Sequence, residues 1–93
     1  QDEAKEVLKE EDTKKLINSY LEKLDKVDEI DEEFAGSIMK TIQKETGIKG
    51  KNLWFPVRAA ITGSVHGPDL SSVMVLMGKE KIAQRLNYVK ENF

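Results

Sequence analysis

Apolar residues recur along this chain at three- and four-residue intervals, with charged residues between them, and that spacing predicts helices almost from end to end. Ala4, Val7 and Leu8 make a narrow stripe over residues 1–11, a helix expected to fray. Asp12 and Thr13 offer a cap for a second helix, whose inner face carries Leu16, Ile17, Tyr20, Leu21, Leu24 and Val27. The acidic run Asp28-Glu29-Ile30-Asp31-Glu32-Glu33 then interrupts the pattern. It places negative charge at the start of a third helix, residues 34–46, where the helix dipole favours it. Phe34, Ile38, Met39 and Ile42 form the apolar face of that helix, and Gly47 closes it.

A basic connector, residues 48–51, leads to the stretch that holds the single Trp, the single His and both prolines. A short helix is expected over residues 56–62, because Pro56 presets φ for a first turn and Gly63 suits the left-handed residue past a helix end. Gly67-Pro68 followed by Asp69 reads as the start of another helix, so two helices meet at a tight corner. The second of them carries Leu70, Val73, Met74, Leu76 and Met77 and ends at Gly78; being almost wholly apolar, it is expected at the centre of the fold. Ile82, Leu86, Val89 and Phe93 mark the inner face of a last helix over residues 79–92. The chain has no strand-like alternation, repeat or low-complexity segment. The expected fold is therefore all-α, a compact cage of about six short helices in one domain, with an acidic helical part over 1–46 and a basic part over 47–93.

Composition narrows the class. Ninety-three residues make one small domain with a thin core. With 39% hydrophobic and 34% charged residues the chain is globular, and no apolar run approaches the roughly 18 residues of a membrane span. No signal peptide precedes the first helix, so no membrane partner is expected. Zero cysteines exclude disulfides and thiolate metal sites and suit a cytoplasmic location. The start at Gln1 rather than Met is read as a sign of a fragment. The net charge of −2 hides an asymmetry, since residues 1–33 carry 13 Asp/Glu against 6 Lys/Arg, whereas residues 34–93 carry 4 against 9. An anion-binding surface is thus expected on the C-terminal part.

Catalytic readings find little support. Ser64 and His66 stand two residues apart without the spacing of a nucleophile elbow or a convincing orienting acid. One His and no Cys leave only carboxylates on solvated faces for a metal, and no Gly-rich nucleotide loop is present. Nucleic-acid binding needs groups that hold phosphates and surfaces for unstacked bases. Arg58 has a fork of donors suited to a base edge or phosphate, its alternative being a structural ion pair with Asp69 or an N-terminal carboxylate. Gly67 and Pro68 allow close backbone approach, or simply make a turn. His66 either contacts a base or steadies the turn; Lys49 and Lys51 either neutralise phosphates or line a solvated loop. Thr62 and Ser64 read as helix-end hydroxyls, and Trp54, Phe55, Met74 and Met77 as core.

The strings Lys49-x-Lys51, Phe55-Pro56-Val57-Arg58-Ala59-Ala60-Ile61-Thr62-Gly63, His66-Gly67-Pro68-Asp69-Leu70 and Leu76-Met77-Gly78-Lys79-Glu80 resemble the C-terminal anticodon-binding subdomain of bacterial-type glutamyl-tRNA synthetases. The match is dense over residues 47–86, while the first 33 residues match only in being helical and charged. The resemblance implies a non-catalytic part of an ATP-dependent glutamate–tRNA ligase. Its partners would be the tRNA(Glu) anticodon loop and the remainder of the synthetase chain, not DNA, and a monomer is expected. It also implies that Arg58, Gly67, Pro68 and Leu70 line the pocket for the anticodon bases. No cofactor is expected here, ATP and magnesium belonging to the parent's catalytic domain. Two alternatives are a helical protein-interaction module, suggested by the apolar segment 70–77, and a small hydrolase centred on Ser64 and His66.

Overall fold

The computed structural model describes residues 2–93 of the chain, so Gln1 lies outside the described residues. Five helices run in order: α1 Asp2–Leu8, α2 Glu11–Leu24, α3 Glu32–Thr46, α4 Lys51–Thr62 and α5 Leu70–Asn92; no strand occurs among the described residues. The fold is all-α. Inside α5, Gly78 has φ 84° and ψ 166°, a conformation open essentially to glycine alone, and the helix kinks there. Counting the two limbs of α5 separately recovers the expected six segments.

Helix α4 packs against all four other helices. Leu53, Pro56, Val57, Ala59, Ala60 and Ile61 are buried on it, and the alanine pair lets neighbouring backbones come close. Around α4, one core gathers Leu16, Ile17, Tyr20 and Leu24 of α2, Ile38 and Ile42 of α3, and Met74, Ile82 and Leu86 of α5. Helix α1 packs on α4 through the buried Ala4 and Leu8, so the expected fraying gives way to a seated helix.

Local rules account for most helix ends. Asp31 caps α3 by accepting a hydrogen bond from the Phe34 N–H at 2.8 Å, and Gly47 ends it in the left-handed region. Thr13 departs from its expected role as a cap, since α2 begins at Glu11 and Thr13 is buried inside it. Its hydroxyl donates to the Val7 carbonyl at 2.7 Å, tying the end of α1 to the start of α2. A second tie links α2 to α3. Glu45 accepts from the buried Ser19 hydroxyl at 2.9 Å and pairs with Lys23. The hydrogen bond to Lys23 lowers the Glu45 pKa, followed by that from Ser19, while the bond to Glu45 raises the Lys23 pKa. A carboxylate with a depressed folded pKa stabilises the fold above its unfolded pKa, and this support fades as pH falls through the folded value.

The segment 70–77 is less central than its composition implies. Leu70 and Met74 are buried, but Val75 is 38% and Leu76 85% exposed. The apolar run is longer than the face that the other helices cover. Tyr20 has the opposite problem, because its ring is fully buried against Phe34 while its hydroxyl has no hydrogen-bond partner. Burial pushes its phenol far above the ordinary range.

Three substitutions test these features by urea denaturation. Gly78→Ala is expected to cost roughly 1–3 kcal/mol through backbone strain alone, since no atom lies within 4 Å of the added methyl. Gly36→Ala, in a helical conformation within α3 with equally open space, should instead gain up to about 1 kcal/mol. Tyr20→Phe is expected to leave stability unchanged or raise it by about 1 kcal/mol, because an unpaired hydroxyl is removed from the core.

Candidate nucleic-acid interface

The candidate site rests on where α4 begins. The expected start at Pro56 is wrong: the helix starts at Lys51 with Gly50 as its N-cap, and Pro56 lies in its sixth position. Leu53 and Trp54 donate from their backbone N–H groups to the Gly50 carbonyl, forming the first turn. Burial of Leu53 favours that earlier start. The proline costs the Asn52 carbonyl a helical partner, and its own burial helps offset the loss. With this register, Lys51 and Phe55 stand four apart, Phe55 and Arg58 three apart, and Trp54 and Arg58 four apart, all neighbours on one helical strip.

Most of the strip remains open. Trp54 is 40% exposed, contrary to its expected core position, because the packed side of α4 is filled by Leu53, Val57 and the alanines. Phe55 is half-buried and lies between Lys51 and His66. The Lys51 ammonium lies 5.9 Å from its ring centroid, and the His66 ring meets it edge-on at 5.6 Å. No pattern of hydrophobic spacing identifies such a bridging aromatic; the i, i+4 relation to Lys51 becomes visible only once the helix starts at Lys51.

Arg58 closes the corner. Its guanidinium donates to the Pro68 carbonyl at 2.7 Å, ten residues along the chain. The structure records no ion pair between Arg58 and Asp69. The Asp69 carboxylate instead caps α5, accepting from the Ser72 hydroxyl at 2.9 Å and the Ser72 N–H at 3.3 Å. Arg58 therefore spends one donor on a neutral carbonyl and keeps its full charge. Beneath it, Gly67 has φ 154°, and a methyl group placed there would lie 3.5 Å from the guanidinium. Glycine thus suits the backbone conformation, while the methyl itself would make only an ordinary van der Waals contact.

The loop between α4 and α5 is pinned from inside by Val65 and Leu70, 2% and 1% exposed. The Ser64 N–H donates to the Thr62 hydroxyl at 3.2 Å, and the His66 N–H donates to the Ser64 hydroxyl at 3.3 Å. Of the residues singled out in the sequence, Arg58, His66, Gly67, Pro68 and Lys51 come together here. Lys49 is exposed in the linker before α4, with no contact to the corner recorded. Leu70 faces the core and is 1% exposed, so it acts as an anchor of the corner. Among the described residues, no group of three or more His, Asp or Glu side chains could hold a metal ion, and no helix is long and apolar enough to cross a membrane.

This corner, a helix ending in glycine and an arginine clasping a Gly-Pro turn, belongs to a chain whose residues 1–90 match the family model described as the anticodon binding domain. The chain belongs to the anticodon-binding domain family. It is 52% identical to the glutamate–tRNA ligase of Finegoldia magna over 92% of this chain. It is 48% identical to glutamate–tRNA ligase 1 of Caldicellulosiruptor saccharolyticus over 97% of this chain, and 41% identical to the glutamate–tRNA ligase of Bacillus subtilis over 94%. The chain spans only 18–19% of the length of these relatives, at their C-terminal end. No solved structure matches it.

The Arg58 clasp predicts a stability effect separate from any ligand. Arg58→Ala should lower the stability of the anticodon-binding domain by about 1 kcal/mol, the worth of one partly exposed hydrogen bond, as measured by thermal denaturation. An unchanged midpoint would mean that the bond to Pro68 does not hold the corner.

Proposed function

We propose that this domain reads the anticodon loop of a glutamate tRNA as a non-catalytic part of a cytoplasmic glutamate–tRNA ligase. The observation that carries this reading is the Arg58 clasp. It sets a fully charged guanidinium against the exposed backbone of Gly67 and Pro68, in a chain of the anticodon-binding domain family. Only one of the five guanidinium donors is spent on Pro68, which leaves others for a base edge or phosphate. Unstacked anticodon bases would lie against this corner. Phe55 and the exposed Trp54 offer ring faces, while Lys51 and Lys49 neutralise the backbone. His66, edge-on to Phe55, would border the same surface.

Within the parent enzyme, the domain would contribute specificity while ATP and magnesium act in the catalytic domain. The domain itself would need no cofactor and act as a monomer. The hydrolase alternative gains nothing from the fold, since Asp69, the acid nearest in sequence, is committed to Ser72. The exposed Leu76 favours a protein contact as well, at a different place.

The test is fluorescence anisotropy with a glutamate-tRNA anticodon hairpin, against the same hairpin with its anticodon replaced, at two salt concentrations. Binding is expected to be selective and to weaken with salt. Arg58→Ala should cost roughly 1–3 kcal/mol of affinity, and Lys51→Ala should reduce the salt dependence by about one phosphate contact. Equal binding of the two hairpins would overturn anticodon reading.

A further inference from the structure

The exposed side of α5 before its kink carries an apolar feature that RNA binding does not use. Val73 and Met77 turn partly into the core, and between them Val75 and Leu76 point outward, Leu76 being 85% exposed. The two flank a cavity of about 370 Å³ where the start of α5 meets the start of α3. Ala35 and Ser71 form part of its lining, held together where the Ser71 hydroxyl donates to the Ala35 carbonyl at 3.1 Å. Glu32 and Asp69 also line it, and no lysine or arginine does.

That charge pattern selects the occupant. Two carboxylates beside an apolar groove repel phosphates, so RNA is disfavoured there. A second copy related by two-fold symmetry would bring the same carboxylates against one another. An apolar side chain flanked by Lys or Arg complements the groove. Relatives of this chain are more than five times its length, and a surface in the same polypeptide meets the groove at high effective concentration. We propose that the Val75 and Leu76 groove seats another segment of the synthetase polypeptide, one presenting an apolar side chain with basic neighbours. The seat fixes the domain's orientation in the parent enzyme. The inference rests on family membership and not on anticodon reading.

The chain has no cysteine, so Leu76→Cys places a single thiol in the domain, at a position whose exposure leaves the core intact. Its alkylation by iodoacetamide, followed by peptide mass spectrometry, is compared between the 93-residue chain and the full-length synthetase carrying it, both without tRNA. Labelling is expected to be fast in the short chain and at least tenfold slower in the full-length protein. Adding Glu32→Lys to the full-length variant should restore much of the labelling. Equal rates in the two proteins would overturn the proposal. So would slow labelling of the short chain that depends on its concentration, which would assign the groove to a second copy. Protection that arises only on adding tRNA would assign it to RNA and equally overturn the proposal. Unchanged protection in the Glu32→Lys variant would overturn the basic neighbour. Because tRNA is absent from the main comparison, a failure of anticodon reading leaves this measurement unaffected.

Discussion

The structure depends on burying helix α4 from most sides while leaving one strip of it open. Four helices close on α4, and the alanine pair at positions 59 and 60 permits that close approach. What stays uncovered is the strip bearing Lys51, Trp54, Phe55 and Arg58. The same helix thus serves as the centre of the core and the base of the candidate site. A side chain on such a helix inherits the rigidity of the core, which reduces the conformational entropy lost when a ligand is bound. Pro56 adds to this by stiffening the middle of the helix at the position that faces inward.

The corner after α4 is held by inward anchors more than by polar contacts across its surface. Val65 and Leu70 sink into the core on either side of the exposed residues 66–69. Arg58 then reaches across to the Pro68 carbonyl. Had it paired with Asp69, its charge would be offset by a carboxylate. The Asp69 carboxylate is turned to Ser72 as the cap of α5, so the Arg58 guanidinium sits beside exposed backbone with no ion pair to that carboxylate. The division of charge along the sequence works in the same direction, with carboxylates concentrated in residues 1–33 and bases in the rest.

Features governed by local stereochemistry were legible in the sequence. Gly47 and Gly63 as helix ends, a helix starting after Asp69, and the break at Gly78 each follow from what one residue type can do with its own backbone. Asp31, by contrast, stands in the sequence only as part of an acidic run, and α3 begins two residues before its expected start at Phe34. The candidate residues Arg58, Gly67 and Pro68 were also visible, because their types and spacing are unusual. Tertiary choices were not. Pro56 would suit a first helical turn, yet the helix begins five residues earlier with Leu53 buried, which leaves the proline in its interior. Thr13 looks like a cap but becomes a buried link to Val7, because a neighbouring helix end supplies a carbonyl that no spacing rule reveals. Trp54 and Leu76 are apolar by type, and only the arrangement of neighbours shows that Trp54 stays partly exposed and Leu76 almost wholly so.

Those two exposed residues differ in their surroundings, and the difference is informative. Trp54 borders a cavity with Lys40 and Gln43, whereas Leu76 borders one with Glu32 and Asp69. A thin core of 93 residues gains stability from each large apolar side chain that it can bury, so leaving Trp54 and Leu76 exposed, along with Val75 and Tyr88, favours surfaces with other uses. Basic and amide groups around an indole suit a polyanion with flat bases. Carboxylates around a leucine suit a polypeptide with basic residues. The two neighbouring cavities, which share Ala35 and Ser71, thus carry opposite electrostatic signs. Because the two cavities adjoin at Ala35 and Ser71, it is this difference in charge, and not distance, that would keep the two proposed ligands apart.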